Sequence, residues 1–329
     1  MNPLCFRPHF VPKVWGGQKL HTVLGKTLPD DSPIGESWDL SDHASHHSVV
    51  RDGAFAGKTL QDLMTAHRQE LLGARAESYD VFPWLIKFLD CNDWLSVQVH
   101  PDEVAVKTLW PGEGSKTEAW FVVDAEPESR IYAGLLEGVD EAKLRQALQD
   151  GNVASCLYEF TPQPGDCVFL KAGTVHAVGG GVLMAEIQQT SDATFRLFDW
   201  NRVDAEGNSR TLHIEESIKA THWDYGPVKP INVVDYRSRS DGPARVALVD
   251  SPYFSMEYIQ TPSAVGVQNA DHEKSTLRAL MVVRGQGRLS TKASQDTIRT
   301  GEVWLLPASS QEAELVADGT LGVVHCALP

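Results

Sequence analysis

The sequence, 329 residues long, predicts an all-β protein arranged as two barrel-like units. Three observations carry that expectation. Short apolar or alternating runs recur at 82–90, 94–100, 118–124, 130–133, 166–170, 182–189 and 194–200, too many and too brief for a parallel βαβ fold. Gly, Pro and Asp punctuate them, as turns between short strands require. Late in the chain, Gly301-Glu-Val-Trp-Leu-Leu-Pro-Ala308 echoes the rhythm of Gly165-Asp-Cys-Val-Phe-Leu-Lys-Ala172, which reads as an internal duplication.

Two helices interrupt the first unit. From Thr59 to Leu72 the residues Leu60, Leu63, Met64, His67, Leu71 and Leu72 fall on one stripe, with Thr59 and Asp62 as a capping pair and Gly73 as a stop. From Asp140 to Gln149, Leu144, Ala147 and Leu148 turn inward and Gly151 follows the end. Pro227, Pro230 and the polar 237–241 stretch suggest a linker within 224–241, dividing the chain into units 1–230 and 231–329. The tail then offers an alternating strand at 253–259, an apolar one at 277–283, and a hairpin turn at Gly285-Gln286-Gly287.

Composition excludes several classes. Hydrophobic residues make 42% and charged residues 22%, ordinary for a globular chain with room for a large core. The net charge of −15 argues against a nucleic-acid groove and against anionic membranes, though not against a small anion held by local cations. Met1 to Phe10 hold no long apolar run, so neither a secretory signal nor a membrane anchor is expected. Five scattered cysteines without C-x-x-C spacing read as reduced thiols of a cytoplasmic protein. Oligomeric state is not legible.

The chemistry concentrates between Ser96 and His176. In the run 94–100, Ser96, Gln98 and His100 alternate onto one face and Leu95, Val97 and Val99 onto the other. Lys116, Glu118 and Trp120 likewise share a face, and a glycine-bearing turn follows Leu170 and leads to His176. Polar residues along one face of an apolar strand are costly unless that face lines a ligand cavity. Two imidazoles, a carboxylate and an amide oxygen suit a borderline divalent cation such as zinc. His43, His46 and His47 read as solvated loop residues, His272 and His325 as unaccompanied histidines, and Trp15 and Trp38 as packing.

These residues also carry a family resemblance. The run from Gly165-Asp166 through Ala172-Gly173 to His176 resembles the second cupin motif. With Gln98-Val99-His100-Pro101, Lys116-Thr117-Glu118-Ala119-Trp120 and the segment Glu186 to Trp200, the chain resembles the type I mannose-6-phosphate isomerases. The short bacterial branch is the nearest, with Trp15-Gly16-Gly17 and Gly35-Glu36-Ser37-Trp38 also familiar. The resemblance implies a double cupin: two jelly-roll barrels, short helical insertions in the first, and a metal-free second. It implies one zinc ion per chain on Gln98, His100, Glu118 and His176. It also implies a catalytic Arg196, a proton-carrying Lys116, a phosphate-contacting Ser96, and acidic residues Glu186 and Asp192 facing the same cavity. Two departures stand out: Ser115 replaces a histidine of the long branch, and Lys171 replaces the usual proline.

An aldose–ketose isomerase must move a proton from C2 to C1 of a sugar phosphate through a cis-enediol, stabilising negative charge as it develops on oxygen. Lys116 and Glu186 compete for the proton-carrying role, and Lys13, Lys19 and Arg202 are further candidates for phosphate contact. Blander readings are that Lys116 only pairs with Glu118, and that Arg196 pairs structurally with Asp192 or Asp199. Other functions compatible with the pattern are a metal-containing sugar-phosphate sensor without turnover and an iron cupin dioxygenase.

Overall fold

The computed structural model describes residues 1–203, 207–233, 243–267, 276–310 and 312–329, and antiparallel strands dominate them. Two sheets face each other in the first part of the chain. One has seven strands, in the order Ile231–Asn232, Asp166–Leu170, Glu118–Ala125, Val182–Gln189, Trp84–Cys91, Ile34–Leu40 and His9–Gly17. The other has five, in the order Leu157–Phe160, Ile131–Leu135, His176–Val178, Val97–Val99 and Phe195–Phe198.

Period-two alternation decides which side chains meet. Trp120 and Val122 point between the sheets with Val168, Leu170, Val182 and Met184, against Ile131, Ala133 and Val178 of the five-stranded sheet. Their neighbours Ala119, Phe121, Ala185 and Ile187 point the other way, into a core shared with Tyr258, Met281 and Val324 of the C-terminal strands. Each such aliphatic or aromatic side chain, fully buried, contributes about 1.5–3 kcal/mol. Both faces of the seven-stranded sheet are therefore covered, which is why its strands read as near-continuous apolar runs. The helices Glu141–Gln149 and Ile214–Ala220 cover the outer face of the five-stranded sheet, packing Leu144, Ala147, Ile218 and Ala220 on Val97, Val99 and Leu197.

Seven C-terminal strands and one from the start of the chain form an eight-stranded sheet around its own core of Ile259, Leu280, Val282, Leu289, Ile298, Trp304, Leu315 and Val323. Arg278–Thr291 and Ala313–Ala327 pair along most of their length. The start of the chain joins this sheet, since Leu4–Cys5 pairs with Val303–Leu306.

Several expectations need correction. The strand expected at 94–100 is only Val97–Val99, and Leu95 turns into the core between the sheets instead of sharing a face with Val97 and Val99. Gly285 to Gly287 make no hairpin. The strand runs straight through them, and the register shifts around Gly285, whose φ of +74° marks a bulge. Helix Ile214–Ala220 went unread because His213 offers no side-chain cap and the segment has under two turns of pattern. The linker expected at 224–241 is described only to Val233, and 237–241 and His272 lie outside the described residues. Helix Leu60–Leu72 has the expected capping box between Thr59 and Asp62.

Candidate active site

Three segments bring the polar residues together. Across the five-stranded sheet His176 pairs with Gln98, and Gln98 with Arg196, so these three stand side by side on one face. Glu118 opens a strand of the opposite sheet. His100 lies just past Val97–Val99, and the strand ends there because Pro101 has no N–H for the ladder. Gly173 N–H donates to the His100 carbonyl at 2.7 Å, and Lys116 N–H to the Pro101 carbonyl at 3.3 Å. Gly173 must be glycine: its φ is +92°, and a Cβ there would meet His222 Cδ2 at 2.0 Å.

His100 Nε2 lies 3.3 Å from Glu118 Oε2, and His176 Nε2 lies 3.4 Å from Glu118 Oε1. All three are buried. Each imidazole points its Nδ1 at a backbone carbonyl, His100 at Ala193 (2.8 Å) and His176 at Thr174 (2.9 Å). That contact fixes the tautomer, leaving Nε2 with a lone pair and no proton. Burial lowers the pKa of both imidazoles, with the Lys116 charge adding to the effect at His100, and His176 falls to about 4. Burial alone would raise the Glu118 carboxyl, but the neighbouring His100 ring and the Lys116 ammonium outweigh it and hold the group well below the carboxylate range. Acceptors thus face acceptors, and His100 Nε2 and both Glu118 oxygens lack a hydrogen-bond donor. Such a knot of lone pairs is what a divalent cation relieves, so the residues fit one. Among the described residues these three form the one His/Cys/Asp/Glu cluster of metal-ligand size.

Gln98 stands beside the cluster with its Nε2 3.2 Å from His176 Nε2. A half-turn of that amide presents Oε1 instead, the atom a metal needs. Lys116 Nζ is 3.4 Å from Glu118 Oε2. Ser96 is buried. Arg196 donates through Nη1 to the Thr211 carbonyl at 2.8 Å, its Nε has no partner, and burial and then Arg210 lower its pKa. It does not pair with Asp199, which Arg210 grips at 2.5 and 2.7 Å. Asp192 is exposed, and its N–H donates to Glu113 at 3.3 Å.

Glu186 is buried and held: Trp120 Nε1 donates to it at 3.0 Å, and Lys87 Nζ lies 3.2 Å away. Burial raises its pKa against the opposing charge of Lys87. Lys87 also lies 3.6 Å from Glu36, which Lys13 reaches at 2.9 Å. Burial opposes ionisation of Glu36, but the two lysines dominate and bring it to about 2. This buried chain of alternating charge is the main feature that sequence reasoning missed. Its signal was a lysine in the apolar run 84–91, on the face of Leu89 and Cys91.

Other candidates are already engaged. Lys19 pairs with Asp124 and Glu126, both at 3.1 Å, and Arg202 donates to the Trp94 carbonyl. Lys171 sits over the Tyr225 ring, and the turn it begins is closed by Thr174 N–H on the Lys171 carbonyl at 3.0 Å. His46 is no solvated loop residue: its ring stacks on His9 with centroids 4.0 Å apart, and its Nε2 is buried without a partner. His325 is buried and paired with Glu257 at 2.8 Å. A cleft of about 820 Å³ opens elsewhere, lined by His47, Arg68, Tyr79, Glu113 and Ser115 among others, behind the segment that carries Lys116.

Residues 4–150 match the family model of the phosphomannose isomerase type I catalytic domain. The mannose-6-phosphate isomerase of Streptococcus mutans is 35% identical, over 98% of this chain and 97% of that one. The crystal structure of the mannose 6-phosphate isomerase from Bacillus subtilis superposes with a TM-score of 0.86 at 28% identity, over 99% of each chain. A mannose 6-phosphate isomerase bound with zinc and yttrium shares the fold at 16% identity and a TM-score of 0.72, over 98% of this chain and 99% of that one.

Proposed function

This chain belongs to the type I mannose-6-phosphate isomerases, which are aldose–ketose isomerases, and from that premise we propose how its own residues carry the reaction. The substrate pair is mannose 6-phosphate and fructose 6-phosphate, interconverted through a cis-enediol. One zinc ion is held by His100, Glu118 and His176, with Gln98 as fourth ligand through its Oε1. The observation that carries this reading is the convergence of two deprotonated Nε2 atoms and two undonated carboxylate oxygens within one buried cluster. The relative bound with zinc supports that choice of metal. When bound, zinc supplies a Lewis acid for negative charge on substrate oxygen.

The remaining work falls to side chains. Lys116 takes the C2 proton and returns it to C1. Glu186 is the weaker candidate for that role, because Trp120 and Lys87 already hold it. Arg196, beside Gln98 in the sheet and with Nε free, orients the reacting oxygens and adds a fixed cation. Ser96 contacts the phosphate, and Asp192 belongs to the mouth. Residues 1–230 form the catalytic unit and 231–329 its metal-free companion, with Ile231–Asn232 staying in the first unit's sheet and Leu4–Cys5 crossing to the second, in a cytoplasmic enzyme. No helix among the described residues is long and apolar enough to cross a membrane.

Purified protein restored with zinc is expected to interconvert the two sugar phosphates, with one equivalent of metal by elemental analysis. Stoichiometric iron and no isomerisation would favour an oxygenase instead. In Arg196→Ala, kcat is expected to fall about a hundredfold or more with metal content unchanged. An unchanged rate removes Arg196 from the mechanism.

A further inference from the structure

Ser115 occupies an unusual position: it immediately precedes Lys116, yet both hydrogen-bonding roles of its hydroxyl are spent on protein. Its Oγ donates to Glu103 Oε1 at 2.9 Å and accepts from Gln189 Nε2 at 2.9 Å. The other end of Gln189 accepts from the backbone N–H of Thr117 at 2.9 Å. Lys116 is therefore gripped on both sides, through the hydroxyl before it and the amide after it. Thr117 also accepts, through Oγ1, from Ala172 N–H at 3.2 Å, on the turn that leads to His176.

Glu103 extends the chain of contacts. It lies three residues past His100, so one carboxylate joins the loop after one candidate ligand to the loop before another. The oxygen that accepts from Ser115 accepts also from the hydroxyl of Tyr253. Tyr253 comes from outside the catalytic unit, on the turn before strand Ser255–Thr261 of the C-terminal sheet. Its backbone is itself fixed, since its carbonyl accepts from the buried Trp84 indole at 3.0 Å. Neighbouring Asp102 is tied separately, to His222 at 2.8 Å.

We propose that Tyr253 is a positioning residue for the isomerisation: through Glu103 and Ser115 it fixes the backbone from which Lys116 and Glu118 project. This rests on the roles given to those two residues above. It also gives the C-terminal sheet a task in turnover, although among the described residues that sheet offers no metal cluster. A proton carrier working between adjacent carbons tolerates little drift, and a 1 Å displacement can cost about a hundredfold.

The test compares zinc-loaded full-length wild type, Tyr253→Phe and Ser115→Ala. Each single variant is expected to lose about tenfold in kcat, with KM for mannose 6-phosphate within about threefold of wild type and metal content unchanged. The double variant is expected to be no slower than the worse single one, because the two residues act along one chain of contacts. Independently of turnover, amide exchange across 114–119 should accelerate in Tyr253→Phe, with Thr117 most affected. Wild-type turnover and wild-type exchange in Tyr253→Phe would overturn the inference alone. Fully additive losses, or loss of metal, would overturn it in favour of a general structural role. A wild type without turnover would overturn the functional reading first and this inference with it.

Discussion

Lys87 shows what one buried charge is worth. Its ammonium lies between Glu186 and Glu36, and their charges outweigh the effect of burial, raising its pKa. Lys87→Met removes the cation and strands two buried carboxylates, and this is expected to cost about 3–5 kcal/mol, read as a lower urea midpoint at constant slope. His176 gives a pH prediction. Folding lowers its pKa from 6.5 to about 4, so between those values the unfolded chain binds more protons and the metal-free fold loses stability as pH falls. The loss reaches about 3 kcal/mol by pH 4 and then levels off, and His176→Gln should flatten that part of the curve. Urea titrations of metal-free protein across that range check it. The candidate cluster was legible because His100 and Glu118 stand in short alternating runs and a glycine turn leads to His176. The Lys87 chain was not, because its partners come from three strands distant in sequence, and pairing across strands leaves no local pattern.

At the level of elements, the strands of the seven-stranded sheet were readable because burial on both faces makes them near-continuously apolar, and helix Leu60–Leu72 because its caps and its buried Leu60, Leu63, Met64, Leu71 and Leu72 agree, although the backbone leaves helical geometry at His67. The misread hairpin has one cause: a glycine can mark a turn or a bulge, and only the partner strand decides. Gly285 is the instance, with its φ of +74° and a would-be Cβ 2.0 Å from the Thr320 carbonyl. Gly319 has a similar φ of +86° but nothing within 4 Å. Gly319→Ala is therefore expected to cost about 1–2 kcal/mol from the left-handed backbone alone, and Gly285→Ala clearly more because the backbone must also move. Equal thermal shifts in the two variants would show that crowding at the bulge has no effect.

Over the whole molecule, the seven-stranded sheet and the C-terminal sheet share one core rather than touching at a surface. Phe121 stacks on Tyr258 with centroids 5.3 Å apart, and helix Leu60–Leu72 contributes to the same cluster as Met281 and Val324. Calorimetry is accordingly expected to show a single cooperative transition for the metal-free chain. Two resolved transitions would mean that the units melt independently. Composition predicts a division at residue 230, but Ile231–Asn232 still pairs with Asp166–Leu170, and the interweaving of the ends was not legible. Leu4 pairs with Leu305, three hundred and one residues along the chain (305 − 4). Leu4 and Cys5 thus find their place in the sheet only once Trp304 and Leu305 have been made. Until then Leu4–Cys5 has no partner strand, and Val303–Leu306 completes two pairings at once, with Leu4–Cys5 on one side and Arg278–Thr291 on the other.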